Sequence, residues 1–410
     1  MLDTISMARR SAGRALGTST AVAVAIALAH GLNDTYAAFL HPLLPRIMRK
    51  LDLSISLAAV LTTSLALAAS LIQPALGYAS DRWGRRWFVV LGPLFCGVFM
   101  SLIGAAPSFL VLILFLTLGG LGSAAFHPPG ASMAARVGEG AGSGVRLSLF
   151  SFGGAAGYAA GPLIAVGMVA AVGIDRLWLA MVPAVLMAPV MFGMLPADRP
   201  AGAASVPGPR EVMRSLVGPL GLLFGISAIS TFVQRVFLTM QPIATAAAGG
   251  SEALGAATLS VYLAGQAAGS LLGGYLTDRA DRRKLLVGIT LVSLPTHLFA
   301  IALPMGSLLA LISTAAAGCA TMALLPPIII EAQERMPGGA AIGSGIVMGL
   351  AWAVGSVGVL GTGVLGDVWG ARAAALVSTP VILAATALAM HPSLAGRRAA
   401  APAAQERSSS

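Results

Sequence analysis

Twelve stretches of mainly apolar residues divide the chain: 18–40, 54–79, 87–106, 108–134, 146–170, 176–195, 215–245, 253–277, 285–304, 306–331, 341–366 and 372–390. Each is close to the roughly 20 residues that a helix needs to cross a bilayer. No pattern narrows the choice of fold more. With no water to satisfy the backbone, only helices or closed barrels span a membrane. Runs of this length are helical, since a spanning strand needs only about 10 residues. The first run is too long and too polar inside for a cleavable signal peptide. The single long link, 196–214, reads PADRPAGAASVPGPREVMR. Its Pro, Ala and Gly content marks a flexible connector. It separates one six-helix bundle, 18–195, from a second, 215–390.

Composition agrees. Hydrophobic residues make up 57% and charged residues 10% of the chain, against about 25% charged in soluble domains. A net charge of +10 would suggest nucleic acid in a soluble protein. Here the basic residues sit in short links between apolar runs, where they report topology instead. With the N-terminus inside, nineteen of the 25 Lys and Arg residues fall in inner segments and five in outer ones. That bias puts both terminal segments, 1–17 and 391–410, in the cytoplasm. The outer cluster Arg46, Arg49 and Lys50 runs against it, and Arg235 alone lies inside a run. Cys96 and Cys319 both lie in apolar runs and read as small core residues, without a disulfide or metal framework.

The two halves repeat. GYASDRWGRRW, from Gly77 to Trp87, matches GYLTDRADRRK, from Gly274 to Lys284, at an offset of 197. His127-Pro128-Pro129 matches Leu325-Pro326-Pro327 at 198. Two matches in different helices at nearly one offset indicate duplication of a six-helix unit. The run Gly77-x-x-x-Asp81-Arg82-x-Gly84-Arg85-Arg86 resembles the signature loop between helices 2 and 3 of the major facilitator superfamily. HGLND in helix 1, SLIQPALGYASDR in helix 2, GLGSAAFHP in helix 4 and EAQERMPG in helix 10 resemble its fosmidomycin-resistance branch. The similarity reaches from about Ala29 to about Asp367.

That resemblance implies an all-α membrane protein with two pseudo-symmetric bundles, in which helices 1, 4, 7 and 10 line a central cavity. It implies proton-coupled export of a phosphonate antibiotic or related drug from the bacterial inner membrane by a monomer. No cofactor, metal or nucleic acid is expected. It also implies that the loop is a latch, holding the cytoplasmic side closed while the outer side is open. Gly77 allows close helix approach, and Asp81 can face the positive N-terminal end of a neighbouring helix. Arg82, Arg85 and Arg86 can pair with acidic groups. Asp278, Arg279 and Arg282 repeat the pattern in the second half, and Glu331 is a candidate partner at the inner end of helix 10. For the arginines alone, simple topological retention explains the same pattern.

Intramembrane polar residues are rare and mark sites. Helix 1 carries His30, Asn33 and Asp34; helix 4, His127; helix 7, Gln234, Arg235 and Gln241. All lie on helices expected to face the cavity. His297 in helix 9 lies outside that set. His30 and Asp34, four apart, share one helix face. Asp34 is the expected proton carrier and His30 its tuning partner; a fixed polar pair between helices is the alternative. Arg235 holds its charge permanently and suits an anionic substrate, or else an ion pair with Asp34. His127, Asn33, Gln234, Tyr36 and Gln241 complete the expected substrate contacts. Pro128 and Pro129 are expected to kink helix 4. GYAAGP, Gly157 to Pro162, resembles part of an antiporter motif and equally suits small-residue packing. An importer or exchanger of a small anionic metabolite would use the same residues. No Ser/His/Asp set or phosphate-cradling loop points to an enzyme.

Overall fold

The computed structural model describes residues 2–136, 143–196, 210, 214, 216–335 and 340–394, with side chains from residue 20 onward except at 135–136, 143–145 and 340–342. Most of the connector 196–214 and the tail beyond 394 lie outside the described residues.

Among the described residues, twelve helical rods follow the twelve runs. In the first half, α1 is Leu2–Ala37, continued after a bend as Leu40–Leu51. α2 is Ile55–Ser70 and Gln73–Trp83, α3 is Arg85–Leu102 and α4 is Phe109–Arg136. α5 is Ser143–Val172, and α6 is a tight turn, Ile174–Met181, leading into Val182–Met194. In the second half, α7 is Pro219–Ala247, α8 is Glu252–Thr277 and α9 is Arg282–Ala302. α10 is Leu308–Ala323 and Leu325–Glu334. α11 is Ala340–Gly345, a π turn Ile346–Leu350, then Ala351–Trp369. α12 is Ala371–Ser378 and, after a short turn, Ile382–Ala389.

Ten of these stretches are long and apolar enough to cross a membrane by themselves. The other two are α1 and α8. α1 carries His30, Asn33 and Asp34, and α8 carries Gln266 among many Gly, Ala and Ser residues. Both are packed among the other rods, so their polar groups need not face lipid.

Breaks in the rods have local causes. α10 stops at Leu324 and restarts with prolines in its first turn, where a missing N–H costs nothing. The π turn of α11 is held by Ser227 of α7, which donates its hydroxyl to the Val347 carbonyl at 2.6 Å. The kink expected at Pro128 and Pro129 is not a break, since α4 runs as one helix through both.

The duplication is visible in the packing itself. α5 crosses α1 where Gly157 lies on the carbonyl of Gly31, so close that a Cβ would overlap it. α11 crosses α7 in the same way where Gly355 lies on the carbonyl of Ala228. Likewise Gly120 of α4 lies on Leu65 of α2, and Gly318 of α10 on Tyr262 of α8. Each contact moves by 197 or 198 positions between halves, from 31 to 228 and from 157 to 355. The small-residue packing reading of Gly157 therefore has a direct contact behind it.

The halves meet through α2 against α11, α5 against α8, and the second segment of α1 against α7. Polar contacts join them toward the end that carries Glu252. Arg46 and Arg49 donate to the Glu252 carboxylate at 2.9 and 3.0 Å. Thr63 donates to the Ser356 carbonyl at 3.1 Å, and Thr239 to Thr62 at 3.2 Å. The outer basic cluster thus has acidic partners: Lys50 pairs with Asp175.

Candidate functional site

α1 delivers a carboxylate into a cluster of imidazoles. Asp34 Oδ2 lies 3.3 Å from His30 Nε2, one turn earlier on the same helix, and Oδ1 lies 3.3 Å from His127 Nε2 on α4. The helical spacing brings His30 alongside; tertiary packing brings His127. Asn33 donates through Nδ2 both to Asp34 Oδ1 at 2.9 Å and to Ser123 Oγ of α4 at 3.1 Å, tying the two helices together.

Each imidazole is fixed from behind. His30 Nδ1 lies 2.8 Å from the Phe150 carbonyl, and its ring stacks on Phe150 with centroids 4.0 Å apart. Gly154 of α5 makes the space, because a Cβ there would overlap the imidazole. His127 Nδ1 lies 2.7 Å from the Ser123 carbonyl. A carbonyl only accepts, so both Nδ1 atoms carry hydrogen. Both Nε2 atoms then face the carboxylate, and each contact is attractive only if a proton lies in it. With neutral imidazoles and an ionised Asp34, both contacts set lone pair against lone pair. One added proton repairs one contact and a second repairs both. Both contacts are thus hydrogen bonds only when protons occupy them.

The cluster is shielded but not sealed. His30 is buried, while the Asp34 and His127 side chains are 17% and 31% exposed. Their donor atoms and that of His30 all lie within 4.8 Å of one another. Three donors so close could also enclose a divalent cation, and these are the residues that would hold it.

The other expected contacts divide. Gln234 of α7 lines a recess with Ser227, Ser230, Thr231, Thr321 and Trp352. Arg235, beside it, is half-buried, and its Nε is buried without a hydrogen-bond partner. By the repeat offset of 197 between α1 and α7 Arg235 sits four residues, about one helical turn, nearer the Glu252 end than the level of Asp34. The alternative of an Arg235–Asp34 pair is not the one this structure holds: His30, His127 and Asn33 of the first half take the carboxylate oxygens. Tyr36 is corrected. It is buried against Gly97 of α3 and donates its hydroxyl to the Ala180 carbonyl of α6 at 2.6 Å, which makes it a packing residue. Asn33 is fully buried and positions Asp34. Gln241 is buried near the far end of α7. His297 is buried, with Nε2 3.1 Å from the Tyr262 hydroxyl, so it faces its own bundle and not lipid.

At the opposite end, the loop residues pair within their own halves. Gly77 packs against Pro128. Asp81 pairs with Arg85, Arg82 is exposed, and Arg86 lies over the Phe192 ring, 3.8 Å from its centroid. In the second half Arg279 lies over Tyr275. Asp278 closes α8. Arg282 donates to Glu334 at 2.9 Å and lies 3.7 Å from Glu331, which accepts from Arg335 at 2.9 Å. Sequence reasoning missed Ser123, Phe150, Glu252 and Asp367 as functional neighbours. The spacing of Ser123 four residues before His127 was the available signal for the first.

Comparison with known proteins agrees with the all-α fold. The family model described as Major Facilitator Superfamily matches residues 26–225. The chain is 29% identical over 367 residues to the Fosmidomycin resistance protein of Escherichia coli (strain K12), covering 85% of this chain and 87% of that one. It is 28% identical to an MFS-type transporter, YfnC, of Bacillus subtilis (strain 168), covering 88% and 89%. Its fold is similar to that of a bacterial homologue of the human lysosomal transporter Spinster in an inward-facing conformation. The TM-score is 0.78 and the identity 18%, covering 91% of this chain and 96% of that one.

Proposed function

We propose that this chain, which is similar to a fosmidomycin resistance protein, is a transporter of the Major Facilitator Superfamily and a proton-coupled antiporter that exports a small organic anion by alternating access. The observation that carries the proposal is the pair of imidazoles whose Nδ1 atoms are committed to carbonyls, leaving both Nε2 atoms on Asp34.

The sign of coupling follows from His127. Protonated, its Nε2 donates to Asp34. Neutral, the same atom is a free acceptor and can take a hydrogen bond from a substrate hydroxyl. The two uses exclude each other, so loading substrate expels a proton and loading a proton expels substrate. The anionic end of the substrate lies on Arg235, about one turn away, where a planar guanidinium suits a phosphonate or carboxylate. Gln234 contributes from the same helix. The Asp81 end faces the cytoplasm, as the basic links require, and the halves are tied at the outer end by Arg46, Arg49 and Glu252. The cluster is then loaded from inside in this conformation.

Proteoliposomes test the direction. With an acidic lumen and inside-out protein, fosmidomycin should accumulate in the lumen; accumulation only when the gradient is reversed would identify an importer instead. Arg235→Lys keeps the charge and loses the fork. It should weaken fosmidomycin binding roughly tenfold, about 1.4 kcal/mol, with insertion unchanged. Unchanged affinity and transport in that variant would remove Arg235 from the site. Glu252→Gln loses its charge against Arg46 and Arg49 together. Labelling of a cysteine placed at Gln234 by an impermeant reagent from outside should rise, because the outer end opens more often.

A further inference from the structure

The turn between α11 and α12 repeats the signature loop at the other end of the molecule. Gly77-x-x-x-Asp81-x-Trp83-Gly84-x-Arg86 and Gly363-x-x-x-Asp367-x-Trp369-Gly370-x-Arg372 agree at all five named positions. The structures agree too. Each Asp lies in the last turn of its helix, and each Trp ends that helix and is exposed. Gly84 and Gly370 both take positive φ, 100° and 81°, which a residue with a side chain adopts poorly. Arg86 and Arg372 both donate to carbonyls that end a neighbouring helix: Phe192 of α6 for one, Ile301 and Ala302 of α9 for the other.

The two copies differ in what the aspartate touches. Asp81 pairs with Arg85 of its own loop. Asp367 reaches across the halves to the N-terminus of α2. Its Oδ1 accepts from the Ile55 N–H at 2.7 Å and from the Ser56 N–H at 3.2 Å. Ser54, the residue before α2, takes the next N–H, that of Leu57. The first helical donors of α2 are therefore divided: one is capped locally, and two are capped from the other half. Gly363 and Gly366 let the helices approach, since a Cβ on either would press on Ser56 or Ile55.

We propose that the α11–α12 turn is an outer latch, the counterpart of the latch that family resemblance assigns to the Asp81 loop, and that Asp367 holds the outer end closed by capping α2. The proposal rests on the alternating-access reading. When the outer end opens, α2 keeps its Ser54 cap and gives its other two donors to water, so the helix survives the switch. A carboxylate at a helix N-terminus contributes modestly, which suits a contact that must break in every cycle.

Spin labels at Leu57→Cys and Val364→Cys, in protein whose Cys96 and Cys319 are replaced by serine, report the α2–α11 distance at the outer end. Both labelled positions are exposed. In liposomes without substrate or pH gradient, Asp367→Ala should raise the long-distance population roughly three- to fivefold. Asp367→Asn, which keeps an acceptor oxygen, should fall between it and the parent, and serves if the alanine variant is poorly folded. Asp175→Ala should leave the distances unchanged, because its partner Lys50 lies in the same half. Unchanged distances in both Asp367 variants, or the same shift in Asp175→Ala, would overturn the latch. The readout needs no transport, so it stands apart from failure of the proton reading at Asp34.

Discussion

Asp34→Asn is expected to reduce gradient-driven transport to the level of protein-free liposomes while leaving the protein inserted, folded and able to bind substrate. Asparagine has the shape of aspartate, so the Asn33–Ser123 tie between α1 and α4 has no reason to break. Its amide nitrogen can donate to the His30 Nε2 while its oxygen keeps the hydrogen bond from Asn33, so the α1 side of the cluster stays in place. What it cannot do is carry the charge that draws protons into the two contacts. Downhill exchange of labelled for unlabelled fosmidomycin needs no proton and should persist. A variant that cannot be driven but still exchanges would separate coupling from binding. Normal gradient-driven transport in Asp34→Asn would remove the carboxylate from the proton path.

Gly157→Leu is expected to have the second large effect, by a different route. The α1–α5 crossing leaves no room for a side chain at Gly157, and the atom it would meet is the backbone carbonyl of Gly31, which cannot turn aside. Overpacking of this kind costs typically about 1–3 kcal/mol where neighbours can shift, and more where they cannot. The forced move is displacement of α1 from α5, which pulls His30 from Phe150 and Asp34 from His127. Transport should be lost together with a lower melting temperature. Gly167→Leu on the same helix meets no atom within 4 Å and should be tolerated in both respects. Equal damage from the two substitutions would show that the crossing is not the cause.

Much of this was written in the sequence. The twelve runs follow from the length of a spanning helix, and the six-plus-six division from the matched loops Gly77 to Trp87 and Gly274 to Lys284. The packing repeats at Gly157 and Gly355 continue the same offset. The His30–Asp34 pair was legible because both residues lie on one helix, where spacing determines proximity. The role of His127 toward Asp34 was not, since nothing local to α4 says which face of α1 it meets. For the same reason charge alone cannot decide between substrate and Asp34 as the partner of Arg235; in the fold two nearer imidazoles occupy the Asp34 oxygens. Tyr36 lies only two residues past Asp34, but that is about half a helical turn, which sends it to Ala180. The outer cluster Arg46, Arg49 and Lys50 stood out as an exception to the topology rule. Its partners, Glu252 and Asp175, open α8 and α6 and are found only in three dimensions.

In the proposed mechanism substrate and proton compete for the His30–Asp34–His127 cluster. Detergent-purified protein in weakly buffered solution, with a pH-sensitive dye, tests it without any membrane gradient. Addition of fosmidomycin should release protons from the wild-type protein and none from Asp34→Asn. Proton uptake on binding, or equal release from the variant, would contradict competition at this cluster.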